Sequence, residues 1–291
     1  MIIDAHLHLW KKQDGLVDGR KVIPLKNGQS DFGGEIRQMM PPYMTDGVNS
    51  AEVLLANMDY AGVSACAVTQ EEIDGNQDEY LLEVKKNYPE RFRVCSLYRE
   101  GMPYTLEGFD GIKLCAGRLK TQDLTKHFEV FENACKNGKY VSIDLADGDA
   151  QTGAMQEIIS QLPDLKIAIG HFGMVTREGW KEQIRLARNK NVFIESGGIT
   201  WLFNSEFYPF PSAVKAIKEA AEICGMEKLM WGSDYPRTMT AITYKMSYDF
   251  VLKSSELSDE EKKMFLGENA MKFYGFKNLV EPKKIKNMVE D

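Results

Sequence analysis

The strongest constraint on this chain is a rhythm. Short apolar runs of β type alternate with longer amphipathic stretches, eight times over. The β-type runs are MIIDAH, GVSACAVT, RFRVCSLY, FDGIKLCA, KYVSIDLA, LKIAIGH, NVFIES and KLMWGSD. Between most of them lie helical patterns such as SAEVLLANMDYAG, QDEYLLEVKKNYPE and PSAVKAIKEAAEICG. The third connection, REGMPYTLEG, is too short and too Gly/Pro-marked for a full helix. Repeated strand–helix alternation calls for a parallel sheet, because each strand must cross back through a helix before pairing again. Eight such units predict an α/β chain closed into a (β/α)8 TIM barrel, and 291 residues suit one barrel of about 250 residues with extensions. Residues 1–291 are therefore expected to form a single domain. The alternative is a doubly wound open sheet, which is weakened because no Gly-rich dinucleotide loop follows the first run.

Two segments stand outside the rhythm. From Trp10 to about Asn49 the chain is polar and rich in Gly and Pro. On a barrel it would emerge at the catalytic face, so a lid or substrate-recognition loop is expected there. After the eighth run, LSDEEKKMFLGENAMKFYGF carries two helical signals, with Ser258 and Glu261 spaced for a capping box. The final EPKKIKNMVED reads as a solvated tail.

Composition narrows the function classes. A net charge of −7 argues against nucleic acid, whose phosphates need a basic face. No apolar run approaches the ~20 residues of a membrane span, and MIIDAHLHLW lacks the basic start of a signal peptide. Cys66, Cys95, Cys115, Cys135 and Cys224 form no CxxC pair and read as reduced, mostly buried thiols. The expectation is a cytoplasmic protein whose partner is a small molecule, with assembly into a homo-oligomer left open.

The polar residues inside these runs carry the chemistry. Side chains alternate along a strand, and the face that meets the barrel helices must be apolar. Ile3, Ala5 and Leu7 are assigned to that outer face, and Asp4, His6 and His8 to the interior. The same test sends Gly111, Lys113 and Cys115 inward, and Ser142 and Asp144 inward. His171 ends the sixth run and Asp234 the eighth. Barrel active sites form at the C-terminal strand ends, and strands one and eight are neighbours in a closed barrel. Two imidazoles and a carboxylate there suit a borderline divalent cation, Zn2+ first and Mn2+ second. Arg99, Arg118 and Arg237 follow strand ends and are candidates for binding a substrate carboxylate. Tyr235, Trp201 and Phe210 are candidates for shaping the pocket. Asp4 could orient a ligand imidazole or be a buried structural carboxylate. His127, on a polar helical stripe, reads as a surface residue.

With those residues in hand, the chain resembles the amidohydrolase superfamily, and within it the lactonase-like members of the amidohydrolase-2 branch. IDAHLH resembles the first-strand HxH motif, DLKIAIGHFG the sixth-strand histidine motif, LMWGSDYP the eighth-strand aspartate motif and LGENAMKFYGF the C-terminal helix. The resemblance implies that His6, His8 and Asp234 are metal ligands, with His171 a ligand or a substrate-polarising group. It also implies that Asp234 takes the proton of the attacking water. Many members place a histidine at the end of the fifth strand, where this chain has Asp144 in VSIDLAD. Binuclear members carboxylate a fourth-strand lysine near the place of Lys113, which is read here as unmodified. Lys113 and Asp144 are kept as substrate-binding candidates. The expected activity is metal-dependent hydrolysis of a small carboxylate-bearing lactone or cyclic ester. The alternatives are a metal-dependent decarboxylase or hydratase, and a non-catalytic binding barrel.

Overall fold

The structure is a computed structural model that describes residues 1–288. Twelve strands occur: β1 (Ile3–His8), β2 (Leu16–Val17), β3 (Arg20–Pro24), β4 (Gln29–Phe32), β5 (Ile36–Gln38), β6 (Ala65–Thr69), β7 (Phe92–Tyr98), β8 (Gly111–Cys115), β9 (Tyr140–Asp144), β10 (Ile167–Ile169), β11 (Val192–Glu195) and β12 (Leu229–Met230). Eight of them pair in the order β1-β6-β7-β8-β9-β10-β11-β12, and every pairing is parallel. The ring closes through backbone bonds between β1 and the segment after β12: Ala5 N–H to Trp231 O at 2.8 Å, Asp234 N–H to His6 O at 2.9 Å, and His8 N–H to Tyr235 O at 2.9 Å. This is the expected (β/α)8 barrel.

Helices follow the strands, as at Ala51–Ala61, Asp78–Asn87, Thr152–Gln161 and Pro211–Cys224, and none lies between β7 and β8. The first of these shows how local chemistry sets the bounds. The Ser50 side chain accepts from Val53 N–H at its start, and Gly62 turns left-handed at φ 73° to stop it. Ile112, Leu114, Val141, Ile143, Ile167, Ile169, Val192 and Ile194 bury their side chains in the layer between barrel and helices. Ser258 and Glu261 form the expected reciprocal capping box.

Three expectations need correction. The first concerns β1, whose alternation is broken by a register shift between Asp4 and Leu7. Ile3 and Ala5 pack with Ala65, Ala67, Ala168 and Phe193 in the lower part of the barrel, whereas Leu7 joins the outer layer. Asp4 lies opposite Cys66 in the outer layer and does not share a face with His6 and His8. It accepts hydrogen bonds from His6 N–H (3.1 Å), Ser233 N–H (2.9 Å) and Tyr244 O–H (2.8 Å). A one-residue irregularity flips every side chain beyond it, and the Asp4 carboxylate occupies the backbone donors at this one. Burial raises Asp4 to about 6, against these hydrogen bonds.

The second correction concerns the segment from Trp10 to Asn49. It is not an irregular loop: β2, β3, β4 and β5 form a four-stranded antiparallel meander. Its three turns fall at Asp18-Gly19, Asn27-Gly28 and Gly33-Gly34, pairs whose positive φ values suit tight reversals. The third is His127, which is buried at 6% exposure and not a surface residue. Its ring bonds the Tyr98 hydroxyl at 2.9 Å and the Thr121 carbonyl at 2.9 Å.

Candidate metal centre

The end of β1 brings two imidazoles together edge-on, with 72° between the ring planes. His6 Nε2 and His8 Nε2 are 3.1 Å apart. Asp234 Oδ1, from the turn after β12, lies 3.0 Å from His8 Nε2 and 3.8 Å from His6 Nε2. All three residues are buried. The tautomer of His6 is set by Glu195 at the end of β11: His6 Nδ1 lies 2.6 Å from Glu195 Oε1, which leaves Nε2 as a lone pair. The other Glu195 oxygen accepts from Gly197 N–H at 2.5 Å, so the carboxylate is itself held. Three donors at these separations suit a small divalent ion, since ligands about 2.0–2.1 Å from a tetrahedral metal sit about 3.3 Å from one another. The lone pair of His6 aimed at a second imidazole is poorly satisfied unless a cation stands near both.

Two glycines make the approach possible. A Cβ on Gly232 would lie 2.7 Å from His6 Cβ, and one on Gly170 would lie 2.1 Å from Asp144 Oδ1. These are the glycines of the eighth-strand GSD and the sixth-strand GH. The backbone then turns left-handed at His171 (φ 55°), Phe172 (φ 52°), Met174 (φ 57°) and Asp234 (φ 57°). Non-glycine residues in that region cost of order 1 kcal/mol or more each. The turns aim His171 and Asp234 at the strand-end cavity.

A second group adjoins the first. His171 Nδ1 lies 2.8 Å from the Gly197 carbonyl, so it carries the proton and Nε2 is turned toward Asp144 Oδ2 at 3.6 Å. Metal-ligating atoms of His6, Asp144 and His171 also fall within 4.8 Å of one another. Lys113 Nζ contacts Asp144 Oδ1 at 2.6 Å from a fully buried position. Burial pushes the Asp144 carboxyl up, but Lys113 and His171 outweigh it and hold it well below the usual range. Burial pulls His171 down, yet Asp144 pushes it up to about 10. For Asp234, burial raises the carboxyl, while the His8 hydrogen bond and Arg237 bring it below its ordinary value.

A cavity of about 600 Å3 opens above these groups, lined by His171, Asp234, Asp144, Arg237 and Arg118. Asp234 Oδ2 accepts from the indole N–H of Trp201 at 2.9 Å, and Trp201 also lines the cavity. Arg237 is clamped by both oxygens of Asp74 at 2.9 and 2.8 Å, and its Nη1 stands 3.7 Å from Asp234 Oδ1, while Nε and Nη1 make no hydrogen bond among the described residues. Asp74 Oδ2 also stands 3.7 Å from His8 Nδ1.

Not every candidate reaches the cavity. Lys113 lies beneath Asp144 and is absent from the lining, so it acts on the site through that carboxylate. Tyr235 is fully buried against Tyr244, and its backbone rather than its ring serves the site. Phe210 packs on Phe250, and Arg99 does not line the cavity. Glu195, Glu71 and Asp74 were not anticipated. The alternation in VFIE puts Glu195 on the inner face with Phe193, so the same parity test reaches it. Glu71 and Asp74 lie in the loop after β6, where no periodicity exists to assign them.

Residues 3–276 match the family described as amidohydrolase. No curated protein matches the chain. Among solved structures, a probable 2-pyrone-4,6-dicarboxylic acid hydrolase from Acinetobacter baumannii with citric acid bound is 18% identical, covers 94% of this chain and 99% of its own, and superposes with a TM-score of 0.66. An amidohydrolase from Burkholderia multivorans with bound Zn is 16% identical over 95% of this chain and 100% of its own, with a TM-score of 0.68. The 5-carboxyvanillate decarboxylase of Novosphingobium aromaticivorans, complexed with manganese and 4-hydroxy-3-methoxy-5-nitrobenzoic acid, is 17% identical over 77% of this chain and 80% of its own, at 0.53. At such identities the likeness is one of fold.

Proposed function

Because the chain belongs to the amidohydrolase family, an enzyme family, we propose that it is a metal-dependent hydrolase that opens a small carboxylate-bearing lactone or cyclic ester. The observation that carries this reading is the convergence of His6, His8 and Asp234 at 3.0–3.8 Å with Glu195 fixing the His6 tautomer. These three residues would hold the ion, Zn2+ in the first instance. A divalent cation there supplies Lewis acidity and lowers the pKa of water toward neutrality.

The chain's own residues do the rest. Asp234, its Oδ2 steadied by Trp201, receives the proton of the attacking water. His171, held by the Gly197 carbonyl and kept protonated by Asp144, donates to the oxygen that gains charge at the acyl carbon. The positive charge of Arg237 in the cavity lining draws the substrate carboxylate, with Arg118 exposed at the rim as a second cation. In the reaction the water oxygen bonds to the acyl carbon, the ring C–O bond breaks, and the proton ends on the leaving oxygen as a hydroxy acid forms.

The test is elemental analysis of the purified protein followed by a pH-stat assay of ring opening on carboxylated lactones. Stoichiometric metal with base uptake supports the reading. Metal with CO2 release and no ring opening replaces hydrolysis by decarboxylation. Ligand binding with no turnover of any kind makes the chain a binding barrel.

A further inference from the structure

The two imidazoles of the centre are backed unequally. His6 Nδ1 has its carboxylate, Glu195, at 2.6 Å. His8 Nδ1 is buried and makes no hydrogen bond among the described residues. Asp74 Oδ2 stands 3.7 Å from it. A neutral imidazole carries its proton on one nitrogen or the other. On Nε2 of His8 the proton would be donated to Asp234 Oδ1 at 3.0 Å. Nε2 would then have no lone pair for a cation, and the Nδ1 lone pair would lie against a carboxylate oxygen. On Nδ1 the proton has Asp74 Oδ2 as its neighbour, and Nε2 keeps its lone pair beside His6 Nε2 and Asp234 Oδ1. The tautomer that can ligate is the one that needs an acceptor behind the ring.

Asp74 has that capacity to spare. It lies in the loop after β6 at 2% exposure. A carboxylate offers about four acceptor sites, and three hydrogen bonds occupy this one. Oδ1 accepts from Gln13 Nε2 and from Arg237 Nη2, both at 2.9 Å, and Oδ2 accepts from Arg237 Nη2 at 2.8 Å. The remaining site belongs to Oδ2, the oxygen beside His8. The residue is also held in place. Its carbonyl accepts from Asp14 N–H at 3.3 Å and from the Gln77 side chain at 2.9 Å, and its own N–H bonds the Glu71 carbonyl at 3.0 Å. Gln13, itself buried, accepts from Ser30 of β4 at 2.5 Å. The meander, the loop after β6 and the turn after β12 thus all fix this one carboxylate.

Resting on the reading above that His8 ligates a metal, we propose that Asp74 is the positioning residue of His8: it accepts the hydrogen bond of Nδ1–H, selects the tautomer that leaves Nε2 free for the cation, and does so while clamping Arg237. The χ2 torsion of a histidine is soft, so a small ring rotation brings 3.7 Å into hydrogen-bond range. The bond raises the basicity of Nε2, as an acceptor behind a ligating imidazole does. The two histidines of β1 then have separate keepers, Glu195 from β11 and Asp74 from the loop after β6. Arg237 lines the cavity, so one carboxylate orients both a ligand ring and a cavity cation.

The experiment pairs nitrogen-15 NMR of the imidazoles in the Zn2+-loaded protein with Zn2+ competition against a chromophoric chelator, for wild type, Asp74→Asn and Arg237→Met. The chain has four histidines, few enough to assign one by one. In loaded wild type, His8 should carry a slowly exchanging proton on Nδ1. Asp74→Asn should lower Zn2+ affinity by about 10–100-fold and speed exchange of that proton, with the His6 signals in place. Arg237→Met, which leaves Asp74 free to bond His8, should not weaken Zn2+ binding. An equal fall in Arg237→Met and Asp74→Asn would mean that Asp74 acts through Arg237, and the inference fails. It fails also if Asp74→Asn binds Zn2+ as wild type does, or if His8 ligates through Nδ1; the metal reading survives both results. Should the variants not fold, the wild-type spectrum decides: a protected Nδ1 proton supports the inference and a freely exchanging one ends it. Wild-type protein that takes up no Zn2+ overturns the metal reading itself, and this inference with it.

Discussion

Glu195 shows how much a site depends on a residue that does not touch the ion. It turns His6 so that Nε2, not Nδ1, faces His8, and it is in turn held by Gly197 N–H. Glu195→Gln keeps the shape but loses the charge, so metal affinity should fall about 10–100-fold. Competition against a chromophoric chelator reads this, and an unchanged affinity would show that the tautomer is set by something else. Asp234→Asn should lower kcat by about 10²–10⁴-fold with the far-UV spectrum unchanged; full activity in that variant removes Asp234 from its role. Lys113 belongs to stability more than to binding. Lys113→Met leaves the Asp144 carboxylate largely buried and unpaired, and should cost about 3–5 kcal/mol in urea unfolding. A cost below about 1 kcal/mol would mean that His171 alone satisfies Asp144. At this scale the sequence was readable where alternation held, as for Lys113 and Asp144, and misleading where it broke. Asp4 fell on the wrong face because a register shift leaves no mark in the order of residue types.

Elements decide which of these residues can meet. β10 and β12 are short, of three and two residues, and their functional side chains sit just beyond them on left-handed backbone. A glycine precedes each turn because a neighbouring strand's side chain already fills the space. Gly232→Ala would drive a methyl into His6, so it should abolish metal binding and lower the melting temperature together, in calorimetry with and without added Zn2+. Retained metal affinity in Gly232→Ala would show that β1 yields there. The meander is the element least legible beforehand. Its strands are two to five residues long and half exposed, so they carry too few buried positions for a period to show. Its place above the cavity follows from contacts with Glu72 and Asp74, more than 30 positions away in the chain from the Asn27-Gly28 turn. Its share of the cavity lining, Val17, Phe32, Arg37 and Met39, was invisible until those contacts were known.

The whole molecule gathers five inward carboxylates, Glu71, Asp74, Asp144, Glu195 and Asp234, around Lys113 and Arg237. Such a centre favours a bound cation, and a ligand that binds only the folded state stabilises it. At a free metal concentration of 100 times Kd the gain is about 2.7 kcal/mol, which for a chain of this size corresponds to about 5 °C or more in melting temperature. Dialysis against a chelator should remove that increment and Zn2+ should restore it; a melting temperature indifferent to both would count against a structural share for the metal. No helix among the described residues is long and apolar enough to cross a membrane. The sequence by itself determined the barrel, because eight alternating apolar runs can bury their outer faces only against helices. It also foretold that His6, His8, His171 and Asp234 would gather at one end of the barrel, because strand ends of a closed barrel converge wherever the loops go. Only the tertiary structure decided that Asp4 faces outward, that Glu195 and Asp74 are the carboxylates behind the imidazoles and Arg237, and that the Trp10–Asn49 segment lines the cavity with Val17, Phe32, Arg37 and Met39. Those are contacts between residues far apart in the chain, set by register and loop packing, and local periodicity carries no record of them.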